Sequence, residues 1–431
     1  MVRTLMCSVL FSLALTFRLD AEINWPQWRG PDQNRVSSAE NLPTSWSLEE
    51  NMVWKVELPS WSGSTPIIWE DRIFVTSPSP PLTDQDEHSG GQDLLMLCLS
   101  KADGKELWRV ELDKGNALYR KQNNTTPSPV TDGQHVWVLT GTGVLTSLDM
   151  DGKLIWKRDL QEDYGYFGLN WGYGSSPMLY DGKVIVEVLH GMKTDDPSYV
   201  VAFDSANGKE IWREERPTDA IRESPDAYTT PTLLQHDGKT QIVISGGDYV
   251  TGHDPDTGKE LWRAGGLNPR RRGNYRIVAS PIVVDGMVYA PTRNRPLLAL
   301  PAGGTGDLTD QVIWSWSGAG SPDVPTPVCD GKYFYMVDDK GLITCLNAKS
   351  GEVIWGPERT AQGTVSASPL LADGKVYTLN ENAVASVVAA GPEFKLLGTN
   401  ELDGTYTLSS PVVSGSEIFI RTATHLYCIG E

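Results

Sequence analysis

The chain has 431 residues, 39% of them hydrophobic, with 42 Gly, 28 Pro, 15 Trp and a formal net charge of −18. That share of apolar residues excludes a disordered chain, and so many turn-formers favour short strands over long helices. The acidic balance excludes a nucleic-acid binder, whose phosphate contacts require clustered Lys and Arg that outweigh their neighbours.

Residues 1–21 read as a secretory signal peptide: Arg3 in a short basic start, an apolar stretch from Leu5 to Phe17, and the small Ala21 at the cleavage position. Leu5 and Met6 precede Cys7 where a lipoprotein signal carries small residues, so an unlipidated exported protein, periplasmic or secreted, is expected. No other run approaches the roughly 20 apolar residues that span a bilayer. No integral membrane segment is expected once the signal is removed.

Residues 22–51 form a lead segment containing Asn24-Trp25-Pro26-Gln27-Trp28-Arg29-Gly30-Pro31. Met52 to Leu58 (MVWKVEL) then alternates as a strand, with Trp54 inside it. Beyond it a Ser-Pro or Thr-Pro step recurs eight times, at Pro66, Pro127, Pro177, Pro231, Pro281, Pro327, Pro369 and Pro411, spaced 42 to 61 residues apart. Most steps are followed by a β-branched run, an Asp-Gly turn such as Asp181-Gly182 or Asp285-Gly286, and a second run, which together read as a hairpin. Most units close with Asp or Asn, a Gly-containing turn and then Trp, giving Trp108, Trp156, Trp212, Trp262 and Trp355 as docking residues, to which Trp54 of the orphan strand and Trp314 are added. Unit seven carries Phe394-Lys395-Leu396 where Trp is expected.

Two hairpins per unit make a four-stranded antiparallel blade, and the spacing suits propeller blades. A lone blade exposes both faces, so the blades must stack around an axis. The expected fold is all-β, an eight-bladed β-propeller over residues 52–431. The last unit supplies three strands, and the orphan strand near Trp54 completes it and removes an open edge. Ser77 to Asp93 reads as an exposed extension of the first unit, and Met192 to Ser198 as a shorter one in the third. Of the four cysteines after residue 21, Cys98, Cys329, Cys345 and Cys428, none forms a close pair, and Cys98, Cys345 and Cys428 at matching strand positions read as small buried hydrophobes rather than disulfides or metal ligands.

The docking element Ala202 to Trp212 and its counterpart Gly252 to Trp262 resemble the Ala-x-Asp-x-x-Thr-Gly-x-x-x-Trp repeat of the PQQ-like propeller superfamily, which includes quinoprotein alcohol dehydrogenases and the assembly lipoprotein BamB. The Trp-Pro-Gln-Trp-Arg-Gly-Pro lead resembles that of exported planctomycete PQQ-binding-like repeat proteins. This superfamily hosts unrelated activities, so the fold does not fix the function. Membership implies, for the dehydrogenases, PQQ held between a Trp and an adjacent-cysteine disulfide, a Ca²⁺ bound by carboxylates and amides, and an Asp base. The chain has no Cys-Cys pair and no metal motif, and its six His are scattered.

Candidate ligand contacts come from the connections between units. These are Tyr119, Arg120 and Asn124; Tyr166, Asn170, Trp171 and Tyr173; Arg222 and Tyr228; and Arg270, Arg271, Arg272, Tyr275 and Arg276. Arg and aromatic side chains on an acidic protein suit a planar carboxylate, a sugar or an acidic peptide. Later connections such as GAGSPDV read as plain. The leading expectation is a monomeric, non-catalytic binding scaffold for a protein or small-molecule ligand, with no cofactor. The alternatives are a PQQ- and Ca²⁺-dependent oxidoreductase and a BamB-like envelope assembly factor.

Overall fold

The computed structural model describes residues 24–82, 90–293 and 296–431. The signal-peptide reading and much of the extension between Ser77 and Asp93 therefore lie outside the described residues. Eight sheets, each built on four antiparallel strands, follow one another around an axis, as the repeat requires. Blade 1 is typical, with strands Ile67–Trp69, Arg72–Pro78, Asp93–Ser100 and Glu106–Lys114 in order from inside to outside. Its middle strands are buried along nearly their whole length, while its outer strand alternates between exposed and covered residues. That pattern is what a sheet sandwiched between neighbouring blades demands.

The ring closes through the chain's own beginning. Strand Met52–Glu57 pairs antiparallel with His425–Ile429, placing Trp54 opposite Cys428 and Glu57 opposite His425. It is thus the outer strand of blade 8, whose other strands are Val412–Ser414, Glu417–Arg421 and His425–Ile429.

A second closure runs around the axis. At the start of each inner strand one hydroxyl accepts a hydrogen bond from the backbone N–H of the equivalent residue in the preceding blade. Thr65 donates to Ser128, Ser128 to Ser176, Ser176 to Thr230 and Thr230 to Ser280, at 2.9–3.1 Å. Ser280 donates to Thr326, Thr326 to Ser368, Ser368 to Ser410, and Ser410 back to Thr65, at 2.9–3.2 Å. This ring explains the Ser/Thr-Pro repeat: the hydroxyl satisfies a donor that a buried turn would otherwise orphan, and Pro fixes the bend behind it. It also corrects the sequence reading of the second unit. Ser128-Pro129 occupies the ring there, because Thr126 belongs to the preceding turn and its hydroxyl accepts from the Asn123 N–H.

The docking tryptophans join each outer strand to the next blade. The indole N–H of Trp54, Trp108, Trp156 and Trp212 donates to a carbonyl in the following blade's turn, at Lys101, Met150, Ser205 and Pro255. Trp314 and Trp355 do the same to Ala348 and Gly391. The glycines at 104, 152, 208, 258 and 351 hold positive φ, and a Cβ on any of them would lie 2.4–2.8 Å from the indole or its neighbour, which is why the turn reads Gly-Lys or Gly-Glu.

Trp262 departs from this scheme. Its N–H donates to Gln241 within its own blade, at 2.7 Å. Blade 5 carries an insertion instead of the docking turn, and its strand Gly306–Asp307 folds back parallel to Glu260–Ala264, covering that edge. In blade 7, Phe394 packs on Trp355, and the lead segment covers the outer strand Leu396–Glu401, the Trp46 backbone N–H donating to the Asn400 side-chain oxygen. The four described cysteines are buried and free. Among the described residues no helix is long and apolar enough to cross a membrane.

The lead segment is woven through the centre of the ring. Trp25 exchanges both backbone hydrogen bonds with Ile68 of blade 1, and the Pro26 carbonyl accepts from Thr131 of blade 2. Arg29 donates to carbonyls of Thr230 and Pro231 in blade 4 and Pro281 in blade 5. Arg35 donates to Pro369 of blade 7, Pro411 of blade 8 and Trp28 of the lead itself. Val36–Ser37 then pairs parallel with the inner strand of blade 7. Gly30 makes the turn between the two arginines at φ +76°, with the Trp25 ring 2.9 Å from where a Cβ would stand. Arg29 and Arg35 are 2% and 0% exposed, and burial pulls each pKa down to about 9, so both stay cationic at neutral pH.

Candidate functional site

A cup of about 410 Å³ opens at the axis, next to the hydroxyl ring and the lead. Trp28 lines it together with Ser and Thr side chains of the ring, and the walls come from the connections between blades.

The first wall is a hairpin. Leu118–Tyr119 pairs with Gln122–Asn123, leaving Arg120 and Lys121 at the tip, with Arg120 at φ +52°. A non-glycine residue in that region is uncommon, and such strained positions gather at sites where a side chain must be aimed. Gln122 bonds the carbonyls of Trp171 and Gly172, tying the hairpin to the next connection. The Arg120 guanidinium lies 5.7 Å from the Trp171 ring centre.

Trp171 is held on two sides. Its backbone N–H donates to the Tyr228 hydroxyl at 3.0 Å and its indole N–H to Glu223 at 2.7 Å. Arg276 lies 4.0 Å from Glu223 and 3.6 Å from Asp323, and Arg293 lies 3.3 Å from the same Asp323 oxygen. Opposite them, Lys121 pairs with Glu381 at 2.6 Å, and the Ser366 hydroxyl donates to the same carboxylate at 2.5 Å. Burial raises the pKa of Asp323, with Arg276 and Arg293 opposing, and burial also raises that of Asp339, whose carboxylate accepts the N–H groups of residues 323 and 324. The cup is therefore lined by four cations, Arg120, Lys121, Arg276 and Arg293, against two carboxylates, Asp323 and Asp339, in a chain of net charge −18.

A groove of about 1040 Å³ opens beside the cup over blades 4 to 6. It is lined by Arg270, Arg272 and Tyr275 and shares Arg293, Asp323 and Asp339 with the cup.

Of the sequence candidates, the structure brings Tyr119, Arg120, Trp171, Tyr228 and Arg276 together in the cup. The others stand elsewhere. Tyr173 is buried, its hydroxyl donating to the Glu187 carbonyl, and Asn124 is buried, its amide donating to the Gly115 carbonyl. Asn170 props the connection, its N–H bound to Asp226. Tyr166 and Arg222 are exposed, and Arg271 pairs with Asp219 on the rim. Sequence reasoning missed Trp28, Lys121, Arg293, Asp323, Asp339 and Glu381. The connection holding Asp323 was read as plain, and Arg293, Asp339 and Glu381 sit on the short turns between the second and third strands of their blades, which reach the same face.

A profile for the family described as outer membrane protein assembly factor BamB matches residues 92–357 and 304–405. The chain belongs to this family. Over 339 residues it is 23% identical to BamB of Yersinia pestis, covering 76% of this chain and 77% of that one. Over 277 residues it is 27% identical to a quinohemoprotein alcohol dehydrogenase of Pseudomonas putida, covering 61% of this chain and 30% of the enzyme. The chain thus spans under a third of that enzyme's length. Among solved structures, a europium-containing methanol dehydrogenase superposes with a TM-score of 0.71 at 12% identity, covering 95% of this chain and 98% of that one. BamB from Moraxella catarrhalis superposes at 0.61 with 14% identity, covering 88% and 97%. At such identities these superpositions show the shared propeller fold.

Proposed function

We propose that this BamB-like propeller is an exported, non-catalytic binding scaffold whose axial cup takes a small, flat, anionic ligand. The observation that carries this reading is the cup's lining: four cations and the rings of Trp28, Trp171, Tyr119 and Tyr228 converge on one cavity of an acidic protein. Arg forks suit carboxylates, and indole and phenol faces suit a planar body. The groove beside the cup leaves room for a longer ligand or for a segment of a protein partner, which accords with the assembly-factor relatives.

PQQ, the group that the dehydrogenase relatives suggest, fits this site only in part. The rings and cations suit a planar polycarboxylate. The calcium half does not fit: Asp323 faces Arg276 and Arg293, Glu381 faces Lys121 and Ser366, and Asp339 accepts two backbone N–H groups. With these carboxylates engaged, no group of three or more His, Cys, Asp or Glu among the described residues is arranged to hold a metal.

Calorimetric titration of the chain with planar aromatic carboxylates, PQQ included, is expected to show binding that raises the melting temperature and is indifferent to Ca²⁺. Arg276→Gln should weaken that binding about tenfold or more, the loss of one charge-assisted contact. Binding that strengthens sharply with Ca²⁺, accompanied by dye-linked alcohol oxidation, would favour the oxidoreductase reading instead.

A further inference from the structure

The groove beside the cup is built from three consecutive blades. The connection between Glu260–Ala264 and Ile282–Val284 brings Arg270 and Arg272 to it, and the turn between Tyr333–Val337 and Leu342–Asn347 brings Lys340. The third contributor is the connection that leaves Trp314–Trp316, where residues 317–321 read Ser-Gly-Ala-Gly-Ser.

Both cationic segments are braced at the backbone while their charges stay free. The Asn268 amide donates to the Arg272 carbonyl, its oxygen accepts the Arg272 N–H, and the Ser224 hydroxyl donates to the same carbonyl. The Asp338 carboxylate accepts the N–H groups of Lys340 and Leu342. The side chains of Arg270, Arg272 and Lys340 are exposed and have no ion pair or hydrogen bond among the described residues. The acids of the lining are engaged: Asp323 faces Arg276 and Arg293, and Asp338 and Asp339 accept backbone N–H groups. Residues 317–321 are the complement of this arrangement. Among the described residues, nothing pairs with their backbone N–H or C=O groups.

We propose that this groove binds an extended acidic segment of a protein partner, whose main chain pairs with residues 317–321 and whose carboxylates meet Arg270, Arg272 and Lys340. The inference rests on the reading of the chain as a binding scaffold, and it does not depend on what fills the cup.

A run of small residues lets another main chain approach closely, and an extended peptide offers the alternating donors and acceptors that such a run leaves unpaired. Pairing through the backbone supplies affinity without choosing a sequence, so the choice falls to the three unpaired cations. Their braced segments hold them in place before binding, which lowers the cost of ordering them. At about 1040 Å³ the groove lies at the upper end of small-ligand pockets and suits a longer occupant.

Fluorescence anisotropy of the whole chain with labelled peptides of about eight residues tests this. A peptide alternating Glu and Thr is expected to bind, to weaken as salt rises, and to bind about tenfold or more tighter than a Lys-Thr peptide. Methylating alternate backbone nitrogens of the Glu-Thr peptide removes N–H donors and keeps its charge, and should weaken it about tenfold. Arg270→Glu, Arg272→Glu and Lys340→Glu combined, all at exposed positions, should abolish Glu-Thr binding and admit the Lys-Thr peptide instead. Unchanged Glu-Thr binding in that variant, at a wild-type melting temperature, overturns the proposal. Equal binding of methylated and unmethylated peptides overturns the main-chain pairing, and tighter binding of a sulfated oligosaccharide of equal charge overturns the peptide as occupant. No Glu-Thr binding while PQQ still binds overturns the groove proposal alone, and no binding of either overturns the scaffold reading with it.

Discussion

A chain beginning at residue 59 is expected to lose the closed ring and to self-associate. It lacks strand Met52–Glu57, so His425–Ile429 is left with an unpaired edge. The apolar faces of Met52, Trp54 and Val56 no longer cover the cluster that joins blades 7, 8 and 1, and Leu58, 7% exposed, is gone from it. Each such side chain is worth roughly 1.5–3 kcal/mol when fully buried, so the loss is on the order of 5 kcal/mol, comparable with the whole stability of a typical domain. The exposed edge is also a template for pairing with another chain. A chain beginning at residue 47 keeps the strand and should stay closed and keep the oligomeric state of the full chain, at a lower melting temperature, because the arginine threads across the axis are missing. Size-exclusion chromatography and thermal unfolding of the two truncations distinguish the roles of strand and lead.

Glu187→Gln is expected to stabilise the protein at pH 8 and to flatten the alkaline side of its stability profile. Glu187 is 1% exposed on strand Lys183–Val188, accepts the Thr229 hydroxyl with one oxygen, and has no hydrogen-bond partner for the other. Burial raises its pKa from 4.5 to about 8, against the pull of Thr229, Arg216 and Arg29. Between these two values the folded chain keeps a proton that the unfolded chain gives up, so the folded state binds more protons and stability falls as pH rises. The contribution is fully present below pH 4.5 and is lost through pH 8, at close to 1.4 kcal/mol per pH unit where the difference is complete. The amide holds the same shape without the ionisable proton, and its N–H₂ supplies donors that a carboxylate lacks. Chemical denaturation at pH 6 and pH 8 should show the wild type losing stability between the two and the variant losing markedly less. Asp226 and Asp248, both raised by burial to about 6, add a smaller slope of the same sign that the variant retains.

What the sequence revealed and what it hid follow from where repetition ends. The Ser/Thr-Pro steps and the Gly-x-x-x-Trp elements recur because each blade faces the same neighbour geometry, so eight blades and six of the seven docking indoles could be read directly. The strand around Trp54 was legible because it repeats the outer-strand pattern away from its own unit. Trp28, Arg29 and Arg35 belong to no repeat, and nothing local says that they thread the axis. Their contacts lie as far as 376 residues along the chain, from Arg35 to Pro411. The cup was half legible: long connections advertised Arg120, Trp171 and Arg276, whereas Asp323, Arg293 and Asp339 sit in short segments that composition reads as turns. Trp262 fits the docking pattern, and only the insertion in the following blade, far from it in sequence, redirects its N–H.

The beginning of the chain thus completes the rim of the last blade and the centre of the ring, and its Trp28 lines the cup. Hydrogen–deuterium exchange of the chain with and without a planar aromatic carboxylate such as PQQ tests this most directly. Slower exchange is predicted in residues 25–37, in the hairpin at 118–123 and around Arg276, the segments that line the cavity. Protection confined to the rim around Tyr166, Arg222 and Arg271, with the lead segment unchanged, would contradict it.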